Sequence, residues 1–280
     1  MRKHIGPAVS SAHSTVWGCF AAAALTASTF SASANLLAYY PCDDVFFSGG
    51  WNYTSQVGGT WGNALVAQSG GVPYMSVVND PVRGNVLQMG ATWAYLNLGA
   101  VNPLTPSGEF TATLWANHNE SGGAAFSPLI MKRGSAFSAT FWQFTTTDGT
   151  AALRIEDDNQ NAQAASGTAL YNTWVNYAFS GKIADPVNFP NRMSVELFVN
   201  GQSVKTGVLD LDPNDANQPI LIGNTFTDKT HAQVGARYDD IRFYDVALTA
   251  EQIQGIIPEP STIALFALGL GSLLVRPRRR

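Results

Sequence analysis

Residues 238–253 read YDDIRFYDVALTAEQI. The first part alternates apolar and polar residues from Tyr238 to Val246, the period of a half-buried strand. The period then changes. In LTAEQIQGI (248–256) Thr249 is placed as a helix N-cap, and Gln252 stands where its side chain reaches back at the third helical position. A strand that runs straight into a short capped helix is the expectation here.

The same alternation recurs upstream. MSVELFV (193–199) sets Val195, Leu197 and Val199 on one face and Ser194, Glu196 and Phe198 on the other. Asn200-Gly201 follows, and then QSVKTGV. An Asn-Gly pair between two alternating runs is the strongest short-range hairpin signal. FTATLWANH (110–118), ATFWQFTTT (139–147), AALRIED (151–157) and TWVNYAFSGKI (173–183) read as further half-buried strands, with Trp115, Trp142 and Trp174 assigned to the core. No long helix and no repeat is evident. Many short strands separated by Gly, Asn, Asp and Pro predict an all-β fold, a two-sheet antiparallel jelly-roll sandwich.

Composition agrees with that class. Charged residues make up 13% of the 280, aromatics 11%, and there are 26 glycines. This is the turn-rich, weakly charged profile of extracellular β proteins. Between Asn35 and Ile257 there are 10 Lys and Arg against 19 Asp and Glu, a net charge of −9. An acidic body repels phosphate backbones, so nucleic acid is excluded as a natural partner.

The ends carry their own signals. Arg2, Lys3 and His4 precede an Ala-rich apolar stretch from Val16 to Phe30, and SASA (31–34) offers small residues for cleavage after Ala34. Residues 1–34 therefore read as a signal peptide. Gly18-Cys19 is a weak lipoprotein-type match, because the apolar run continues past the cysteine. Cleavage removes Cys19 and leaves Cys42 alone, without an internal disulfide. Cys42 is expected as a small buried hydrophobe rather than a reactive thiol. No His/Cys cluster suggests zinc.

Ser261 to Val275 is apolar and, as a helix, would extend roughly 22 Å against a hydrocarbon core of ~30 Å. Arg276, Arg278, Arg279 and Arg280 close the chain and would remain cytoplasmic. With Pro258-Glu259-Pro260 directly before the span, residues 258–280 resemble the PEP-CTERM sorting signal of Gram-negative bacteria. The resemblance implies a single hydrophobic sorting helix, recognised by an exosortase and removed or re-anchored. It also implies transient residence in the inner membrane, then a place at the cell envelope, on the surface or in an extracellular matrix that accompanies polysaccharide production.

The body, residues 35–257, has a resemblance of its own. LLAYYPCDD (36–44), FTATLWANH, PLIMKRG (128–134), LYNTWVNYAFSGK (170–182), VELFVNGQSV (195–204), PILIGN (219–224) and the stretch quoted first are similar, in order, to a LamG-like, concanavalin A-like jelly-roll domain. Two positions depart from the pattern: Cys42 stands where Phe often precedes the acidic residues, and Arg237 is bulky in VGARYDD. In similar domains the first and last strands lie side by side and some members bind Ca²⁺ there. The resemblance thus implies a calcium site at Asp43, Asp44, Asp239 and Asp240. The plainer reading is that these aspartates cap turns.

Three further constellations fall short of a complete motif. DLDPNDANQP (210–219) opens like an EF-hand loop at Asp210, Asp212 and Asn214, but Asp215 stands where that loop needs Gly and Leu221 where it needs Glu. Laminarinase-type glycosidases of the same fold carry Glu-x-Asp-x-Glu on one strand; here Glu156 and Asp158 are followed by Gln160, which cannot donate a proton to a leaving sugar. His118 and His231 have no motif around them. The sequence therefore carries no catalytic signature and points to binding. Sugars present C–H faces to aromatic rings, and Trp51, Tyr53, Trp61, Trp93 and Tyr95 lie in Gly- and Asn-rich segments suited to stacking at loop tips. The expected function is a non-catalytic module for glycan or matrix components. A structural or adhesive matrix protein without saccharide affinity is the alternative, and a polysaccharide-active enzyme a third.

Overall fold

A computed structural model of the chain describes residues 34–257 except 45, 48–50, 55–62, 67, 70–71, 105–106, 120–126, 134–139, 148–151, 157–162, 169, 212–216 and 225–231. The leader, the Pro258-Glu259-Pro260 motif, the apolar span and the terminal arginines lie outside the described residues. Among the described residues no helix is long and apolar enough to cross a membrane.

In chain order the strands begin with β1 (Leu36–Tyr40), β2 (Phe46–Phe47), β3 (Trp51–Thr54), β4 (Asn63–Val66), β5 (Gln68–Ser69) and β6 (Val72–Pro73). Next come β7 (Met75–Asp80), β8 (Gly84–Met89), β9 (Leu96–Asn97), β10 (Glu109–Asn117), β11 (Ser127–Arg133), β12 (Thr140–Thr147) and β13 (Ala152–Glu156). The series closes with β14 (Gln163–Thr168), β15 (Val175–Ile183), β16 (Arg192–Val199), β17 (Gln202–Asp210), β18 (Ile220–Ile222), β19 (Arg237–Tyr244) and the helix α1 (Ala250–Ile256).

Two antiparallel sheets face each other. The front sheet runs β17-β16-β15-β10-β19-β8-β7, with β1 also paired to β19; the back sheet runs β14-β13-β12-β11-β18-β9-β4-β3-β2. First and last strands are neighbours, as in the domains the sequence resembles: Tyr39 pairs with Arg242 and Tyr40 with Ile241. The Asn200-Gly201 hairpin forms as read, with φ of 49° and 76° at its two central residues. Positive φ at both is the handedness that matches strand twist.

Alternation decides what fills the space between the sheets. Phe110, Leu114, Tyr177, Phe179, Tyr238 and Phe243 enter from the front, and Leu129, Phe144, Leu153, Ile155 and Ile222 from the back, all essentially inaccessible. Phe110 and Phe144 each approach Phe179 at 5.1 Å between ring centroids, one of them edge-on. Gly181 sits inside this packing because a Cβ there would lie 2.5 Å from Met193 Sδ and 3.1 Å from Phe110 Cε1. Cys42, at φ 63°, is fully buried, and burial holds its thiol well above its ordinary range.

One polar clasp joins the sheets. Tyr238 donates its hydroxyl to the Pro128 carbonyl at 3.1 Å, so its oxygen accepts from His118 Nε2 at 3.0 Å. That leaves His118 Nδ1 to accept from the Thr146 hydroxyl at 3.2 Å. His118 is a satisfied core residue.

The short helix covers the outer face of the front sheet. Thr249 caps it, and Gln252 returns the bond to the Thr249 backbone, as its sequence predicts. Ile253 is buried in a cluster with Ala178, Phe198, Tyr244 and Leu248. This explains how Phe198, on the face of β16 that carries Ser194 and Glu196, escapes solvent.

Candidate functional site

The site grows from a fault in the last strand. Thr113 of β10 pairs with Arg242 and Trp115 with Asp239, so three steps of β19 face two of β10. The extra residue is accommodated at Asp240, whose φ is 49°. A β-bulge of this kind re-aims side chains. Here it turns two consecutive carboxylates toward the outer face.

Both meet Arg83, which arrives from the turn between β7 and β8. Its Nε donates to Asp239 Oδ2 at 2.5 Å and its Nη2 to Asp240 Oδ2 at 2.6 Å. The guanidinium also lies over two indoles, with Cζ 4.3 Å from the Trp115 ring centre and 5.5 Å from that of Trp174. Asp240 Oδ1 accepts from Tyr39 at 2.5 Å and from Arg242 Nη2 at 3.0 Å. Burial pushes the Asp239 carboxyl up to about 6, with Arg83 beside it working in the opposite direction.

A second anchor stands alongside. Asp80 Oδ1 accepts from the Val82 and Arg83 amides and from the Trp174 indole at 3.1 Å, and Oδ2 accepts from Arg237 Nη1 at 2.6 Å. Burial alone would raise this carboxyl, but those donors together hold it below the ordinary range.

Arg237 leads into a polar pocket. Asn117, Arg237 and Gln88 form one cross-strand row over β10, β19 and β8. With Asn119, Asn172 and Gly235 they line a cavity of about 340 Å³. Arg237 Nε donates to Gln88 Oε1 at 3.1 Å, which fixes the floor. Asn119 is clamped to the buried Gln233, whose side chain accepts from the Asn119 amide at 3.0 Å and donates to the Asn119 carbonyl. Asn172, at φ 55°, donates its amide to His118 O at 2.7 Å. Asn117 is half-buried and Asn172 exposed, and both line the cavity. Gly235 has φ 85°, and a Cβ there would lie 2.5 Å from Asn119 Nδ2, so both backbone and contact favour glycine.

A larger groove of about 680 Å³ crosses β15, β16 and β17 beside residues 247–251. Lys182 and Glu196 in its lining are already engaged. Lys182 pairs with Glu109 at 2.6 Å, and Glu196 accepts from Ser203.

The sequence-derived candidates are distributed unevenly. Asp239 and Asp240 are held as described, while Asp43 and Asp44 are exposed at the end of β1. Burial first, then the charges of Asp240 and Asp44, raise the Asp43 carboxyl. Trp93 is 44% exposed and Tyr95 half-buried, between β8 and β9. Trp61 and the side chains of Trp51, Tyr53 and Trp142 lie outside the described residues, as do Asp158, Gln160, His231, Asp212 and Asn214. Glu156 is buried and ion-paired with Arg154.

Trp115 and Trp174 correct the sequence reading. Neither is in the core. Trp115 shares its face of β10 with Thr113 and Asn117, opposite Leu114 and Ala116, and Trp174 precedes β15 with its indole turned to Asp80. The parity of FTATLWANH already placed Trp115 with the polar set. The row of Gln88, Asn117 and Arg237 had no such local signal, since it exists only through the pairing of three strands far apart in sequence.

Residues 90–254 match the family Laminin_G_3, described as the concanavalin A-like lectin/glucanases superfamily. The chain belongs to that superfamily. Residues 257–280 match the PEP-CTERM protein-sorting motif, which implies processing by an exosortase. The protein is thus an exported one with a lectin-like fold, sorted to the cell envelope or surface.

Among solved structures, domain 4 of AbnA, an extracellular GH43 arabinanase from Geobacillus stearothermophilus solved with arabinotriose, is similar at 17% identity and a TM-score of 0.55; the match covers 79% of this chain and 98% of that one. Trypanosoma rangeli sialidase matches at 14% identity and TM-score 0.51, over 78% of this chain and 32% of the sialidase. The binding domain of Paraclostridial Mosquitocidal Protein 1 matches at 14% and 0.50, over 79% and 51%. At these identities the likeness is one of fold. No curated protein matches the sequence.

Proposed function

We propose that the protein is a non-catalytic glycan-binding module of a Gram-negative bacterium, processed by an exosortase at the inner membrane and retained at the envelope or in the extracellular polysaccharide matrix. The observation that carries this reading is the amide-lined pocket of Gln88, Asn117, Asn119, Asn172 and Arg237. Primary amides offer a donor and an acceptor side by side, which is what two neighbouring sugar hydroxyls require. The charge of Arg237 is cancelled by Asp80, and the body carries a net charge of −9, so the ligand is a neutral sugar rather than a polyanion. Trp93, exposed among the loop aromatics, is a stacking platform consistent with the same role. The ligand bound by AbnA domain 4, arabinotriose, is a neutral oligosaccharide and makes that class the first to try.

The test is a panel of immobilised neutral and acidic oligosaccharides presented to the full chain in mild detergent. Binding to one or more neutral members is expected, weakened about tenfold or more (~1.4 kcal/mol) in the Asn117→Ala/Asn172→Ala double variant. Binding that survives in the double variant would remove the pocket from the account, and no binding at all leaves the structural or adhesive role.

A further inference from the structure

Consecutive carboxylates turned outward by a bulge are a donor set of the kind a hard divalent cation uses, and the resemblance of this chain to calcium-binding jelly rolls directs attention to Asp239 and Asp240. The residues present do not fit such an ion. Calcium takes six to eight oxygens (~2.4 Å each), and all four oxygens of these two side chains are committed to protein donors. Asp239 Oδ1 accepts from the Asp240 amide at 2.8 Å and Oδ2 from Arg83 Nε at 2.5 Å. Asp240 Oδ2 accepts from Arg83 Nη2 at 2.6 Å, and Oδ1 from Tyr39 and Arg242. Two carboxylates face two guanidiniums, so the cluster is neutral as it stands. Among the described residues no group of three His, Cys, Asp or Glu side chains gathers to hold a metal.

We propose that Arg83 is the built-in cation of this module, standing where a divalent ion would otherwise neutralise the Asp239–Asp240 bulge. The side chain is suited to the task. Its planar fork presents Nε to one carboxylate and Nη2 to the other in a fixed geometry, which the flexible point charge of a lysine does not reproduce. The Trp115 and Trp174 rings cover the guanidinium, and its side chain is only 13% exposed, so the charge is fixed in place rather than waving in solvent. Arg83 is also tied to the second anchor, because its backbone amide donates to Asp80 Oδ1 at 3.2 Å. Through Asp80 the same turn holds Arg237 and the floor of the amide pocket. Resting on the glycan reading, this makes sugar recognition independent of calcium. The charge arrangement itself is tested without any sugar.

The experiment compares thermal unfolding of the full chain in detergent, with millimolar CaCl₂ and with EDTA, for the natural sequence and for Arg83→Gln and Arg83→Lys. The natural chain should melt at the same temperature in both buffers. Arg83→Gln, which leaves two carboxylates facing one guanidinium, should melt about 5 °C lower or more in EDTA, since uncompensated buried charge is costly. Calcium should recover part of that loss, and Arg83→Lys should fall between the two. Terbium luminescence sensitised by Trp115 and Trp174 gives a second readout: none above background in the natural chain, and a saturable signal in Arg83→Gln. A calcium-induced rise in the melting temperature of the natural chain would overturn the proposal, as would an Arg83→Gln variant as stable as the parent. If Arg83→Gln does not fold, Arg83→Lys carries the test: it should melt below the parent in EDTA, and a Lys variant as stable as the parent would overturn the proposal. A failed sugar panel with these results intact would count against the glycan reading alone.

Discussion

Lowering the pH should weaken the fold through His118, and the size of the effect follows from its surroundings. The ring is 1% exposed and accepts from Thr146 while donating to Tyr238, a pattern that only the neutral tautomer with its proton on Nε2 satisfies. Burial depresses its pKa to about 4. An unfolded chain would protonate the same ring near ~6.5. The folded value is the lower, so the unfolded state binds the extra proton, and the stability contribution is fully present above ~6.5 and lost as the pH falls toward about 4. At 1.36 kcal/mol per unit, the loss amounts to about 3 kcal/mol. Asp239 titrates in the same window with the opposite sign. Its folded pKa of about 6 lies above the ordinary carboxyl value, so its charged form opposes folding at neutral pH and that penalty is relieved on acidification. The two partly cancel in the parent. The His118 contribution is therefore read as the difference between the parent and His118→Gln, measured by urea unfolding at steps from pH 7.5 to 4.5. The stability advantage of the parent should shrink by about 3 kcal/mol across that range. A difference that stays constant to within about 0.5 kcal/mol, or widens on acidification, refutes the assignment of a neutral buried imidazole.

Two other outcomes are specific. Gly223 has φ 81°, and a Cβ there would lie 1.8 Å from Met89 Cε and 3.3 Å from the Tyr238 ring, so Gly223→Ala should cost about 2–4 kcal/mol in urea unfolding from strain and overpacking together; a change below about 1 kcal/mol would mean that Met89 is free to move aside. The Cys42 thiol is fully buried and raised by burial first, with Asp239, Asp240 and Asp43 adding to it, so peptide mass mapping after iodoacetamide treatment should find it unlabelled until the chain is unfolded. Labelling of Cys42 in the native state at neutral pH would show that the segment following β1 opens.

The fold was legible because its decisive signals are local. Alternation in FTATLWANH and MSVELFV, the Asn-Gly turn and the capped helix after Leu248 each depend on neighbours a few residues away, and each forms as read. Phe198 shows the limit of that logic. Its parity places it outward, and only the packing of α1 over the front sheet buries it. The site was hardly legible at all. The Asp-Asp pair is plain in the sequence, but whether two carboxylates hold a metal or a guanidinium depends on which side chain the β7–β8 turn delivers, and DPVRGN (80–85) gives no sign of its destination. The pocket is harder still, because Gln88, Asn117 and Arg237 become neighbours only once β8, β19 and β10 take their register. Trp115 was readable by parity, since it alternates with Leu114 and Ala116 and shares its face with Thr113 and Asn117.

The measurement that bears most directly on glycan recognition is a calorimetric titration of the full chain, in detergent and EDTA, with the producing organism's own exopolysaccharide. The expected result is saturable heat that added Ca²⁺ does not change and that disappears in the Asn117→Ala/Asn172→Ala variant. Absence of heat in both buffers, or equal heat from the parent and the variant, would contradict a sugar site at the amide pocket.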